Sequence, residues 1–293
     1  MKKVLAEIVA AFVPGKVARS RVRGLVNFGL IRAFLLRRKM RADKTRPKYY
    51  LAVAAIAKNE GAYFKEWIEW HRALGVEKFY IYDNESTDDT KKVLAPYIKS
   101  GLVEYTFVPG RLKQIPSYND CLARRRLDAR WIAFIDLDEF IAPVADKTIP
   151  KFLRRFEKFA LVEINWLCYG SGGAKKKTAG GVMARFRCHA RPEAEVNRHV
   201  KAIVNPRMVS SFVGTHEAVR LAGRAADSHG DAILRQHPGR VPQHDVIFIK
   251  HYAVKSWQEF LDKRARGRAT RSLAKRGLDY FEKFDLNDIK EKA

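Results

Sequence analysis

Asp136 and Asp138 stand one residue apart at the end of the apolar run Trp131-Ile132-Ala133-Phe134-Ile135, and together they offer two carboxylates to one place. If the run is a strand, residues i and i+2 project to the same face, so the pair converges at the strand's carboxyl end. Close carboxylates repel unless a cation neutralises them, and hard oxygen donors suit Mg²⁺ or Mn²⁺ holding a phosphorylated ligand. An isolated Asp-x-Asp is more often the cap of a following turn or helix, so its place in the chain must decide. Two more polar termini follow apolar runs: Lys58-Asn59-Glu60 after Tyr49 to Ala57, and Asp83-Asn84 after Phe79 to Tyr82.

The elements that would position these acids alternate. Tyr49 to Ala57 is apolar almost throughout, as expected of a strand buried on both faces. Tyr63, Phe64, Trp67, Ile68, His71 and Leu74 recur at helical spacing, and Gly75 stops that helix. A second strand to Tyr82, a helix to about Ser100, a third strand from Val103 to Val108 and a helix near Tyr118 to Leu127 lead to the strand ending in Asp136. Successive βα units imply a mostly parallel α/β sheet with helices on both faces, whose ligands bind outside the strands' carboxyl ends. Further on, the pattern predicts a short helix over Pro150 to Phe159. Strands follow near Leu161 to Trp166, Val182 to His189, Val200 to Val204 and Val246 to Tyr252, and a basic C-terminal helix ends the chain.

The 293 residues are 47% hydrophobic and 11% aromatic, which excludes a disordered chain and allows a full core. Cys121, Cys168 and Cys188 lie far apart without Cys-x-x-Cys spacing, arguing against a disulfide framework or structural zinc and for a reducing, cytoplasmic setting. Lys and Arg number 57 against 32 Asp and Glu, a net charge of +25 that favours polyanionic partners without choosing among them. Much of the excess lies in residues 1–48, where Arg32, Arg37, Arg38, Lys39 and Arg41 interleave with Ile31, Phe34, Leu35 and Leu36. That segment reads as a surface helix for the inner face of an anionic membrane, or equally as a solvated arm on the folded body. A nucleic-acid-binding protein would fit the charge alone, yet no zinc module, helix-turn-helix or aromatic-rich single-strand motif supports it.

Ala57-Lys58-Asn59-Glu60, Glu66-Trp67-Ile68-Glu69-Trp70-His71, Tyr80-Ile81-Tyr82-Asp83-Asn84-Glu85-Ser86-Thr87-Asp88 and Ile135-Asp136-Leu137-Asp138-Glu139-Phe140 occur in the order seen in GT-A fold glycosyltransferases. Asn165-Trp166, Asn197-Arg198-His199-Val200-Lys201, Thr215-His216 and His251-Tyr252 continue the series. The chain resembles families 2 and 92 of those enzymes over roughly residues 49–270, leaving 271–293 as a helical tail. The resemblance implies a metal-dependent transferase moving a sugar from a nucleotide-sugar donor, a uridine diphosphate sugar by expectation, to a hydroxyl of a surface glycan or lipid-linked acceptor. Ala57, Asn59, Glu60, Asp83 and Asp136 would hold the nucleotide sugar, and Asp136, Asp138 and His251 would hold Mn²⁺ or Mg²⁺.

The acceptor's base would come from Glu217, His216 or Glu163, with no clean counterpart of the family's usual Glu-Asp pair. Trp166, Gly170 and Ser171 would form an acceptor platform, although a core tryptophan followed by a turn explains them as well. Arg198 and Lys201 would offset diphosphate charge. A sugar-binding protein that kept the fold and lost catalysis is the remaining alternative.

Overall fold

The computed structural model describes residues 29–233, 240–267 and 277–291, with isolated residues before 29. The elements in chain order are α1 (Leu30–Ala42), β1 (Tyr49–Ala57), α2 (Gly61–Ala73), β2 (Lys78–Asp83), α3 (Thr90–Lys99), β3 (Val103–Phe107), α4 (Gln114–Arg125), β4 (Ala129–Phe134) and β5 (Glu139–Pro143). There follow α5 (Ile149–Leu153), β6 (Phe159–Cys168), α6 (Val182–Arg185), β7 (Cys188–His189), β8 (Val200–Val204), β9 (Val209–Gly214), β10 (Glu217–Arg220), β11 (Arg224–Ala226) and β12 (Ala232–Ile233). The chain ends with β13 (Ile247–His251), α7 (Trp257–Ala265), α8 (Leu278–Phe284) and β14 (Ile289–Lys290).

The main sheet runs β12-β11-β6-β8-β4-β1-β2-β3, with β13 bridging β6 and β5. Strands β4, β1, β2 and β3 are mutually parallel, whereas β8 is antiparallel to both β4 and β6. A mostly parallel half and a mixed half therefore share one α/β sheet, as the alternation of elements led us to expect.

β1 is apolar throughout because it lies between β2 and β4 with both faces covered. Leu51, Val53 and Ala55 face one core with Phe64, Trp67 and Ile68 of α2. Ala52, Ala54 and Ile56 face the other with Tyr118, Cys121 and Leu122 of α4. His71 lies wholly inside the first core. Its Nδ1–H donates to the Trp67 carbonyl at 2.8 Å and Nε2 accepts from the Ile141 amide at 3.1 Å, so the ring is a neutral tautomer with both nitrogens used.

The loops after β1 and β2 are tied together. Asn59 Oδ1 accepts the Thr87 amide at 2.7 Å, Ser86 Oγ accepts the Asn59 amide at 2.9 Å and Asp88 Oδ2 accepts the Gly61 amide at 2.9 Å. Gly61 is needed there, since a Cβ would come within 2.8 Å of the Thr90 nitrogen.

Several elements differ from those the sequence suggested. β4 stops at Phe134, so Asp136 and Asp138 belong to the turn into β5 and not to a strand end. Residues 182–189 hold the helical turn α6 and only then the two-residue β7, because Glu66 accepts the Val182 and Met183 amides, capping a helix start. α4 begins four residues early, at Gln114, and the helix from Ile149 ends in a 3-10 turn at Phe156. The region 271–293 is not set apart where it is described: β14 pairs with β7, and Glu291 accepts from Lys250 Nζ at 2.8 Å. Of the N-terminal segment only α1 is described at length, and the rest of that expectation falls outside the described residues. No disulfide links the three cysteines.

Candidate active site at the carboxyl ends of the sheet

β4 delivers the chain into the turn 135–138, and β13 returns His251 beside it through the antiparallel pairing His251↔Glu139. Ligand atoms of Asp138, Glu139 and His251 then lie within 4.8 Å of one another, all three residues buried. His251 Nε2 is 3.9 Å from Asp138 Oδ1. That is too long for a hydrogen bond and within the span of two ligands on one ion with bonds of about 2.1 Å. Nδ1 of the same ring faces the Cys168 thiol at 3.8 Å, which leaves Nε2 as the nitrogen turned toward Asp138. Burial holds the imidazole well below its usual pKa, so it is neutral, the form that ligates a metal. Burial pushes the Glu139 carboxyl well up, and its Oε1 makes no hydrogen bond among the described residues. Two carboxylates and one imidazole, with one carboxylate oxygen unsatisfied, fit Mn²⁺ or Mg²⁺.

Asp136 is not part of that group but adjoins it, its amide donating to Glu139 Oε2 at 2.9 Å. Its Oδ1 accepts Gln114 Nε2 at 2.8 Å and its Oδ2 accepts Lys201 Nζ at 2.8 Å, while Lys201 also stands 3.5 Å from Glu139. Burial works against the Lys201 charge, yet Asp136 and Glu139 outweigh it and raise its pKa well above normal. Asp138 is engaged by Lys263 of α7, whose ammonium also donates to the Ala253 carbonyl at 2.7 Å. Burial alone would raise the Asp138 pKa, but the charges of Lys263 and its neighbours hold it well below the usual carboxylate range. Lys255 is buried nearby, and burial lowers it to about 8.

The proposed nucleotide residues sit one strand over. Asp83 Oδ2 accepts the Tyr105 hydroxyl at 2.6 Å and Oδ1 accepts the Ser86 amide at 2.9 Å. Glu60 Oε1 accepts Arg266 Nη2 at 2.6 Å, and Arg266 Nη1 reaches the Asn59 carbonyl at 3.1 Å. Ala57, at the end of β1, is paired with Asp83. These loops form a braced ledge beside the acid turn.

On the other side Trp166 is enclosed by imidazoles: His251 at 4.0 Å between ring centroids, His199 stacked at 4.9 Å and His216 edge-on at 5.3 Å. Only 7% exposed, it is chiefly a wall that backs His251. Gly170 and Ser171 lie beneath the C-terminal segment. A Cβ at Gly170 would come within 2.6 Å of the Leu286 carbonyl oxygen, and the Ser171 amide donates to Asp285 Oδ1 at 2.6 Å.

His216 donates Nδ1–H to the Val200 carbonyl at 2.7 Å, leaving Nε2 as its basic atom, and burial lowers it to about 4. Glu217 opens β10 next to it. Glu163 is buried mid-strand in β6, opposite Ala202, and strand alternation puts it on the other face from Trp166. Arg198 is exposed in a 3-10 turn.

The family model for glycosyltransferase family 92 matches residues 49–291, and the chain belongs to that family. A family 92 protein of Oryza sativa subsp. japonica is 28% identical over 225 residues, covering 74% of this chain and 35% of its own. The galactan beta-1,4-galactosyltransferase GALS2 of Arabidopsis thaliana is 29% identical over 177 residues, covering 55% and 34%. The beta-1,4-galactosyltransferase galt-1 of Caenorhabditis elegans is 29% identical over 184 residues, covering 58% and 42%. The chain thus spans about a third to two-fifths of the length of these curated relatives.

Proposed function

We propose that the protein is a metal-dependent glycosyltransferase that moves a sugar from a nucleotide sugar, in the first instance a uridine diphosphate sugar, to a hydroxyl of a surface glycan or lipid-linked acceptor. The observation behind this reading is the buried group Asp138, Glu139 and His251, set beside the loops after β1 and β2 in a family 92 chain. These three residues would hold a divalent cation, which when bound would supply charge stabilisation to the departing diphosphate. The chain's own residues orient the reactants: Cys168 and Trp166 fix the His251 ring, Lys201 pins Asp136 and Glu139, and Asp83, Asn59 and Glu60 line the nucleotide ledge. Glu217 or His216 takes the acceptor's proton.

Because two relatives are galactosyltransferases by name, UDP-galactose is the first donor to test. Protein treated with EDTA should neither transfer nor hydrolyse it, and Mn²⁺ or Mg²⁺ should restore turnover, with Glu217→Gln and His216→Gln compared alongside. Turnover that persists in EDTA would overturn the metal reading.

We place the protein in the cytoplasm on the inner face of a membrane. α1 exposes Leu30, Ile31, Phe34 and Leu35 next to Arg37, Arg38 and Arg41, a combination that suits an anionic bilayer surface. No helix among the described residues is long and apolar enough to cross a membrane. Removing residues 1–45 should abolish co-sedimentation with phosphatidylserine vesicles and leave transfer to a soluble acceptor intact; unchanged sedimentation would sink the idea.

A further inference from the structure

Each acid of the turn already has a cation. Lys201 lies against Asp136 and Glu139, Lys263 against Asp138, and Arg266 against Glu60, with Lys255 buried close by. Lys263 is 6% exposed and comes from α7, far along the chain from the acids. Its ammonium donates both to the carboxylate and to the Ala253 carbonyl. A divalent cation bound by Asp138 would have to share that carboxylate with an ammonium in a buried, poorly screened space, where like charges repel strongly. A diphosphate arriving with it would bring the negative charge that both cations need.

We propose that Lys263 is a resident counter-ion of Asp138, and that it leaves the carboxylate for a phosphate oxygen when donor and metal bind. The inference rests on the metal reading above and adds that metal alone binds weakly, while metal and nucleoside diphosphate bind together. Lys263 is then a positioning residue that makes metal occupancy depend on the donor. Its amphipathic helix can supply the movement at the side chain alone, since a lysine's four-carbon stem carries the charge through a range of rotamers.

Mn²⁺ affinity, read by titration calorimetry and by the Mn²⁺ electron paramagnetic resonance signal, separates the outcomes. Without nucleotide, Lys263→Met should bind Mn²⁺ at least about tenfold more tightly than the natural protein, about 1.4 kcal/mol. With UDP present, the same change should weaken Mn²⁺ binding, because the diphosphate loses a partner. Lys263→Gln keeps a donor for Ala253 without the charge and should behave like the methionine variant. Equal Mn²⁺ affinity for all three proteins without UDP would overturn the proposal and leave the metal reading standing; no Mn²⁺ binding by any of them even with UDP would remove the metal reading itself. Should both variants fail to fold, a crystal structure of the natural protein with Mn²⁺ and UDP decides. Lys263 is expected on a phosphate oxygen, and Lys263 still on Asp138 beside the bound ion would refute the exchange.

Discussion

Asp138→Asn should lower sugar transfer by about 10²- to 10³-fold, the range seen when one charge-stabilising group is removed from an active site. The same substitution should destabilise the fold by about 3–5 kcal/mol, because it strands the Lys263 ammonium in a buried place without its counter-charge. Two effects on one residue would normally be inseparable. The Lys263 contact separates them: the double variant Asp138→Asn, Lys263→Met removes the ammonium together with the carboxylate it faces, so most of the lost stability should return, short of the support that Asp138 gives the buried Lys255. Transfer should stay low, since the carboxylate beside Glu139 and His251 is still missing. Denaturant melts and initial rates with UDP-galactose read the two quantities independently. Recovery of transfer along with stability would mean that Asp138 only neutralises Lys263 and holds nothing for the reaction.

The order of βα units was legible because each depends on local signals: continuous apolar runs in β1 and β2, and helical spacing ended by glycine in α2. The end of β4 was not legible, since Ile135 and Leu137 keep the apolar run going while the backbone has already left the strand. β10 to β12 are short, and tertiary pairing rather than propensity makes them strands. Within the candidate site, Asp138 could be named from residue type and position, and His251 from the family resemblance. Glu139 could not, because as the residue after Asp-x-Asp it looks like the start of an ordinary edge. Lys263 could not be singled out within a stretch that reads only as a basic C-terminal helix. Its only clue was spacing, three residues after the apolar Phe260 and thus on the buried face of α7. Arg266 depends likewise on long-range contacts that only the folded chain brings together, and Lys201, read from the sequence as a partner for diphosphate charge, is found against Asp136 and Glu139.

Lowering the pH from 7 to 5 should unfold the protein far more readily than its carboxylates alone would predict. Burial is the largest cause that takes His71 and His216 from an ordinary value of 6.5 down to about 4, and it lowers His199, His244 and His251 as well. In the unfolded chain these rings accept a proton near pH 6.5, whereas in the folded protein they do so only at lower pH, at about 4 for His71 and His216. The unfolded state therefore holds more protons throughout the window between 6.5 and 4. The stability that the neutral rings provide is complete above 6.5 and is lost progressively as the pH falls toward 4. With nearly two extra protons on the unfolded side at pH 5, His71 and His216 alone give a slope of about 2.5 kcal/mol per pH unit. Glu139 opposes this, since burial raises its pKa and makes the folded state the better proton binder there, but His251 acts in the other direction. Urea melts at pH 7, 6 and 5 should show the slope, and His71→Leu should reduce it by about 1.2 kcal/mol per pH unit while lowering stability at pH 7, because the Trp67 carbonyl and Ile141 amide lose their partner. A slope unchanged by His71→Leu would show that the ring gains its proton without leaving the core.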